Sequence, residues 1–278
     1  MVKGYIQRGI ISFFLLIGAY YFSQMVGLNA HLEEKLGIEL PALWIHQDVP
    51  RHLPGLEVTP PDLDVPDFEV KLPPSSSDEE GQEEAAAAAK KLQSIRVANS
   101  MALGYKREHF GDGWATTRGC DTRNKVLARD LGEVKYKPGS TCVVTSGVLQ
   151  DPYMGATVQF LRGPSTSQAV QVDHVVSTSA AWRLGASEWS KKRRIEFYND
   201  MDNLLAVDGP TNQAKSDRTL EEFATAKDKK TNKPLLAPES TCAFAIKYVE
   251  VTAKYDLKMT ADDIAYASST LTKCAARE

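Results

Sequence analysis

Apolar and polar positions follow different periods along this chain, and each change of period marks an element. From Cys142 the period is two: CVVTSGVLQ and ATVQFLRG flank the turn-rich DPYMG, which predicts a β-hairpin turning at Asp151-Pro152. Val170, Val172, Val175 and Val176 alternate with polar residues and predict a short half-buried strand ending near Asp173 and His174. Elsewhere the spacing is helical. EEAAAAAKKLQSIRVANSMAL, from Glu83, joins strong helix formers to acids at its start, with Leu92, Ile95, Val97 and Leu103 for docking. CDTRNKVLARDL predicts a helix capped by Asp121 or Thr122, with Val126, Leu127 and Leu131 on one side. Further helices are expected over 179–186, burying Trp182, and over SEWSKKRRIEFYND, with a basic face of Lys191, Lys192, Arg193 and Arg194. TNQAKSDRTLEEF beyond the Gly209-Pro210 break is a helix candidate whose first turn would carry Asn212 and Lys215 on one face. A core helix around Phe244, Ile246, Tyr248 and Val251 and a Thr260-capped helix over 261–271 close the chain. There is no internal repeat.

The first third reads differently. Lys3 and Arg8 precede the uncharged run from Gly9 to Leu28, long enough at about 1.5 Å per residue to cross a bilayer. Residues 1–30 are therefore a signal peptide or an N-terminal membrane anchor; the poor cleavage site at Gly27, Asn29 and Ala30 leaves both open, and the basic start puts the rest of the chain outside in either case. LEEKLGIELPALW predicts a short amphipathic helix ended by Pro41. Seven of the fourteen prolines then fall between Pro50 and Pro74, ahead of SSSDEEGQEE. Such a segment cannot bury enough apolar surface to fold, so 31–82 is expected to be an extended acidic linker and 83–278 the folded domain.

Charge and cysteines sharpen this picture. The net charge of −3 hides ten acids and one lysine between Leu56 and Ala85, a local −9, so the remainder carries +6. A mildly basic domain suits a polyanion, although a solvated surface carries as much. Cys120, Cys142, Cys242 and Cys274 show no CxxC and no histidine at zinc-ligand spacing. Behind an export signal they read as two disulfides; three pairings exist, and Cys120 with Cys142 and Cys242 with Cys274 is favoured.

The chemistry concentrates between Gln171 and Lys215, where QVDHVV precedes NDMDNLLAVDGPTNQAK. An Asp-His pair on a strand, then Asn-Leu, then Asn-x-x-Lys entering a helix resembles the HNH (His-Me finger, ββα-metal) endonucleases. The secreted bacterial branch related to the C-terminal domain of GmrSD-type restriction endonucleases is the nearer likeness. GYKREHFG at 104–111, GCDTRNKVLARDL at 119–131 and LQDPYMG at 149–155 extend it over roughly 92–274.

The resemblance implies an α+β fold with a ββα-metal core, a β-hairpin and surrounding helices. It implies a secreted or surface-tethered, metal-dependent endonuclease cutting DNA or RNA, DNA favoured, with no obligate protein partner. His174 would be the general base; Asp173 and Asn212 would hold one divalent ion, Mg²⁺ before Mn²⁺; Asn203 would fix the loop so that the imidazole presents the correct nitrogen; Lys215 would neutralise a phosphate oxygen. Arg107 and Arg123 match recurrent arginines and would clamp the strand, or else only hold the fold. Trp114 is a candidate for stacking on bases, whereas Trp182 and Trp189 suit core packing and His109 a surface or structural place. Ser177-Thr178 stands where the family usually has Pro-Leu. That departure supports the alternative, a catalytically decayed relative acting as an extracellular binding module.

Overall fold

A computed structural model of the chain describes residues 78–276, all within one unit, Val70–Glu278. The segment at 1–30, the helix expected within 31–50 and the linker as far as residue 77 lie outside the described residues. Among the described residues no helix is long and apolar enough to cross a membrane.

Helix α1 (Asp78–Leu92) leads through a 3₁₀ turn at Arg107–Phe110 into the paired strands β1 (Thr116–Thr117) and β2 (Cys120–Asp121). Helix α2 (Thr122–Asp130) and the antiparallel sheet of β3 (Leu131–Tyr136), β4 (Val144–Gln150) and β5 (Thr157–Leu161) follow. Next come β6 (Val170–His174), α3 (Thr178–Arg183), α4 (Lys191–Tyr198), β7 (Leu204–Asp208) and α5 (Gly209–Lys215). Helices α6 (Leu220–Ala224), α7 (Thr241–Lys254) and α8 (Ala261–Ala276) end the chain. This is a mixed α+β fold with small sheets.

Two cores divide the work. Ala85, Ala88 and Leu92 lie on one face of α1, which packs along α7 and α8; this larger core gathers Phe223, Phe244, Tyr248, Val251 and Leu271. The smaller core joins α2 to the sheet and to β6–β7 through Val126, Leu127, Phe160, Val170 and Leu204. Cys242–Cys274 ties α7 to α8, and Cys120–Cys142 joins β2 to the approach to β4, which is the pairing favoured from the sequence.

The β4–β5 hairpin turns over DPYMG as expected, because Asp151 accepts from the Met154 amide at 2.8 Å and Gly155 supplies a φ of +67°. Strand β3 was not expected. It follows α2 without a break, carries a register irregularity around Glu133 and buries only Leu131, so it lacks the alternation that marks a strand. Val97 and Leu103 do not dock as helix residues: α1 ends at Leu92, the chain turns just beyond it, Val97 forms an isolated bridge to Met259, and Leu103 is 91% exposed. Trp182 is half-buried rather than buried; its ring stacks on His109 at 4.2 Å and its Nε1 donates to the Leu103 carbonyl.

The part that positions the site is β6, β7 and α5. The two strands pair antiparallel, with His174 opposite Leu204 and Val170 opposite Asp208. Asp208 then caps α5 by accepting from the Thr211 amide, and Pro210 sits in its first turn. Gly209 is required there, since a Cβ would lie 2.0 Å from the Gln168 carbonyl oxygen. Ser216, at φ +54°, stops α5 after Lys215, so the expected long helix is two short ones.

Candidate active site

His174 ends β6, and burial leaves it 7% exposed. Its Nε2 lies 2.8 Å from the carbonyl oxygen of Tyr198, the last residue of α4. The last carbonyls of a helix have no partner inside it, so this oxygen is free to accept. A carbonyl cannot donate; Nε2 therefore carries the hydrogen, and in the neutral ring Nδ1 keeps its lone pair. The imidazole lies nearly parallel to Trp114 (13°, centroids 5.6 Å apart) and to Phe197 (11°, 6.4 Å). Burial in this aromatic surrounding lowers the His174 pKa to about 4, against the raising effect of the Tyr198 carbonyl and Asp173. The ring is neutral at ordinary pH.

A stability effect follows from that depression. Between about pH 6.5 and 4 the unfolded chain protonates this ring while the folded chain does not, so stability falls as pH falls through that window, by roughly 3 kcal/mol across it. Thermal melts in EDTA over this range should show a steep loss in the wild type and a flatter one in His174→Gln. Equal slopes would mean that the ring is not held neutral by burial.

Asp173, one residue earlier, is also buried. Its Oδ2 accepts from the Tyr153 hydroxyl at 2.7 Å and pairs with Lys215 Nζ at 2.8 Å. Lys215 Nζ donates as well to the His174 carbonyl at 2.9 Å, and its side chain is fully buried. This corrects the expected outward lysine. Asn212 and Lys215 are not both turned to the cleft: Asn212 lines it and donates to Gln171 Oε1 at 2.9 Å, whereas Lys215 runs beneath β6 to Asp173.

Asn203, at the end of the 3₁₀ turn before β7, is wholly buried. Its side chain accepts from the Val176 amide and donates to the Val176 carbonyl, and its own carbonyl accepts from the Val175 amide. It pins the two residues that follow His174. The ring nitrogen itself is set by Tyr198, a backbone contact that no residue pattern announces.

These side chains meet at a cleft of about 370 Å³ lined by Tyr105, Arg107, Gln171, Asp173, His174 and Asn212, among others. Arg107 is anchored by its bond to the Tyr198 hydroxyl at 2.5 Å. Arg123 does not line the cleft; it lies over the Phe160 ring at 5.8 Å beside Arg162, and desolvation lowers its pKa. The basic face of α4 is partly spent inside the fold, since Arg193 donates to the Tyr255 carbonyl and Arg194 to those of His109 and Trp189. Ser177 caps α3 by accepting from the Ala180 amide, and Thr178 shares a 2.7 Å hydrogen bond with Tyr105. The Ser177-Thr178 departure thus shapes the cleft wall and leaves the base untouched.

A model of the C-terminal domain of GmrSD restriction endonucleases matches residues 121–263, just over half of the chain. The chain belongs to that family. Membership gives this GmrSD-type domain a nuclease-like role, and the match spans Asp173, His174, Asn203, Asn212 and Lys215. A protein of Arthroderma benhamiae described as an uncharacterized secreted protein is 35% identical over 174 residues, which cover 62% of this chain and 76% of the relative. That description and the two disulfides are consistent with an extracellular protein. No solved structure matches.

Among the described residues of this GmrSD-type domain, no group of three or more His, Cys, Asp or Glu forms a ligand cage. The cleft offers a different donor set: the Asp173 carboxylate with the amide side chains of Asn212 and Gln171. Oxygen ligands of this kind, few in number, fit Mg²⁺ or Mn²⁺, which keep several waters and need one or two protein ligands. Gln171 in the cleft wall and Tyr153 behind Asp173 are unanticipated, though both lie inside stretches that carry the resemblance, QVDHVV and LQDPYMG.

Proposed function

We propose that this protein is a metal-dependent endonuclease of the HNH type, hydrolysing phosphodiester bonds of DNA or RNA, with β6, β7 and α5 as its ββα-metal core. The observation that carries the reading is the His174 ring, neutral and with Nε2 committed to Tyr198, which leaves Nδ1 to accept a proton in a ring that lines the same cleft as Asp173. Nδ1 takes the proton of an attacking water as general base. Asp173 and the Asn212 amide oxygen would hold the divalent ion. When bound, the ion supplies charge at the scissile phosphate and the departing oxygen. Arg107, lining the same cleft, neutralises a phosphate oxygen and orients the strand. Asn203 keeps the exit of β6 closed on itself, so the base does not drift.

The folded domain extends from α1 to the C-terminus and acts outside the cell, either secreted or tethered through residues 1–30. Incubating the purified protein with plasmid DNA and with RNA, in Mg²⁺, Mn²⁺ or EDTA, tests the reading. Cleavage of at least one substrate with metal and none with EDTA is expected. Binding without cleavage under every metal would instead make the protein a decayed relative that captures nucleic acid.

A further inference from the structure

The cleft face of Asp173 is governed from behind. Tyr153 lies in the β4–β5 turn, 1% exposed, with its ring edge-on to Phe223 and Phe244 at centroid distances of 5.3 and 5.4 Å. Its backbone is held as firmly, because the Tyr153 carbonyl accepts from the Ala237 amide at 2.8 Å. The same turn is tied to the start of α5: Asp151 accepts from the Met154 amide with one oxygen and from the Asp208 amide with the other. The Tyr153 hydroxyl therefore cannot leave Asp173 unless the core and the turn move together.

Lys215 approaches the same oxygen from α5, so Oδ2 of Asp173 holds both a hydrogen bond from Tyr153 and an ion pair with Lys215. Oδ1 accepts no hydrogen bond among the described residues. We infer that Tyr153 and Lys215 form a clamp that occupies one oxygen of Asp173 and presents the other, singly and in a fixed direction, to the cleft. Tyr153 is then a positioning residue for the metal ligand, an assignment that rests on the metal-dependent reading above. A carboxylate held this way binds through one oxygen, which suits Mg²⁺ and Mn²⁺; Ca²⁺ more readily uses both oxygens of one carboxylate. The clamp thus sets cation choice as well as affinity.

Titration of the intact protein with Mn²⁺ alone and with Ca²⁺ alone, by calorimetry without nucleic acid, tests this. Tyr153→Phe keeps the ring contacts and removes only the hydroxyl; Tyr248→Phe, at another fully buried tyrosine, is the control. Tyr153→Phe should bind Mn²⁺ about 10-fold or more weakly, the usual cost of losing an outer partner of a ligand. Its Ca²⁺ affinity should rise relative to Mn²⁺, a ratio that does not depend on the folded fraction, and Tyr248→Phe should match the wild type. Wild-type affinity and ratio in Tyr153→Phe, with binding lost in Asp173→Asn, would overturn the clamp and leave the nuclease reading standing. A wild type that binds no Mn²⁺ overturns the clamp too, and if it still cuts nucleic acid in EDTA the metal-dependent reading falls with it.

Discussion

Replacing His174 by alanine should slow phosphodiester cleavage by a factor on the order of 10²–10⁴, the usual worth of a positioned general base, or about 3–5 kcal/mol of barrier. The loss should appear in kcat, because the ring acts on a proton of the attacking water and holds neither the ion nor the strand. Mn²⁺ affinity should stay close to that of the wild type. Asp173→Ala should behave in the opposite way: metal binding weakens, and raised Mg²⁺ or Mn²⁺ restores part of the rate. If His174→Ala cuts DNA and RNA as fast as the wild type, this base assignment is wrong. The committed Nε2–Tyr198 bond makes the contrast sharp, since one nitrogen alone is left for chemistry.

Lys215→Met should unfold the domain more easily by about 3–5 kcal/mol, the cost of leaving a buried partner charge unpaired. Lys215 is fully buried against Asp173 and the His174 carbonyl, so its removal takes the cation from a buried carboxylate, left with only the Tyr153 hydroxyl, and a donor from the carbonyl. The double variant Lys215→Met with Asp173→Asn should recover much of this loss, because no isolated charge then remains inside. Urea unfolding of the single and double variants measures the coupling. A lysine that met substrate phosphate would act otherwise, leaving stability alone and changing the salt dependence of binding. Additive losses in the double variant would show that the pair is not coupled.

The site draws its parts from the ends of elements. The end of β6 delivers Asp173 and His174, the end of α4 a free carbonyl, the start of α5 Asn212, and a hairpin turn Tyr153. Element ends are where backbone groups lack partners inside the element and where side chains can converge from different directions. That placement also explains why two neighbouring residues play opposed parts. In the strand register Asp173 faces Lys215 and Tyr153, while His174, on the other side of the pleat, enters the aromatic surrounding of Trp114 and Phe197.

Local pattern was enough for much of this protein. The hairpin around DPYMG, the Asp121-capped helix, the strand ending at His174 and the helix opened by Gly209-Pro210 are written in turn chemistry, caps and hydrophobic period, all of which act within a few residues. The spacing of Asp173, His174, Asn203 and Asn212 likewise carried the family from sequence alone. Strand β3 was hidden because its partner, not its own pattern, makes it a strand. The inward turn of Lys215, the removal of Arg123 to the Phe160 ring and the capture of Asp173 by Tyr153 were decided by tertiary structure. Each depends on which charge or ring arrives from a distant part of the chain: a lysine at the end of a seven-residue helix can face water or a buried carboxylate equally well by spacing, and only packing brings the carboxylate within reach.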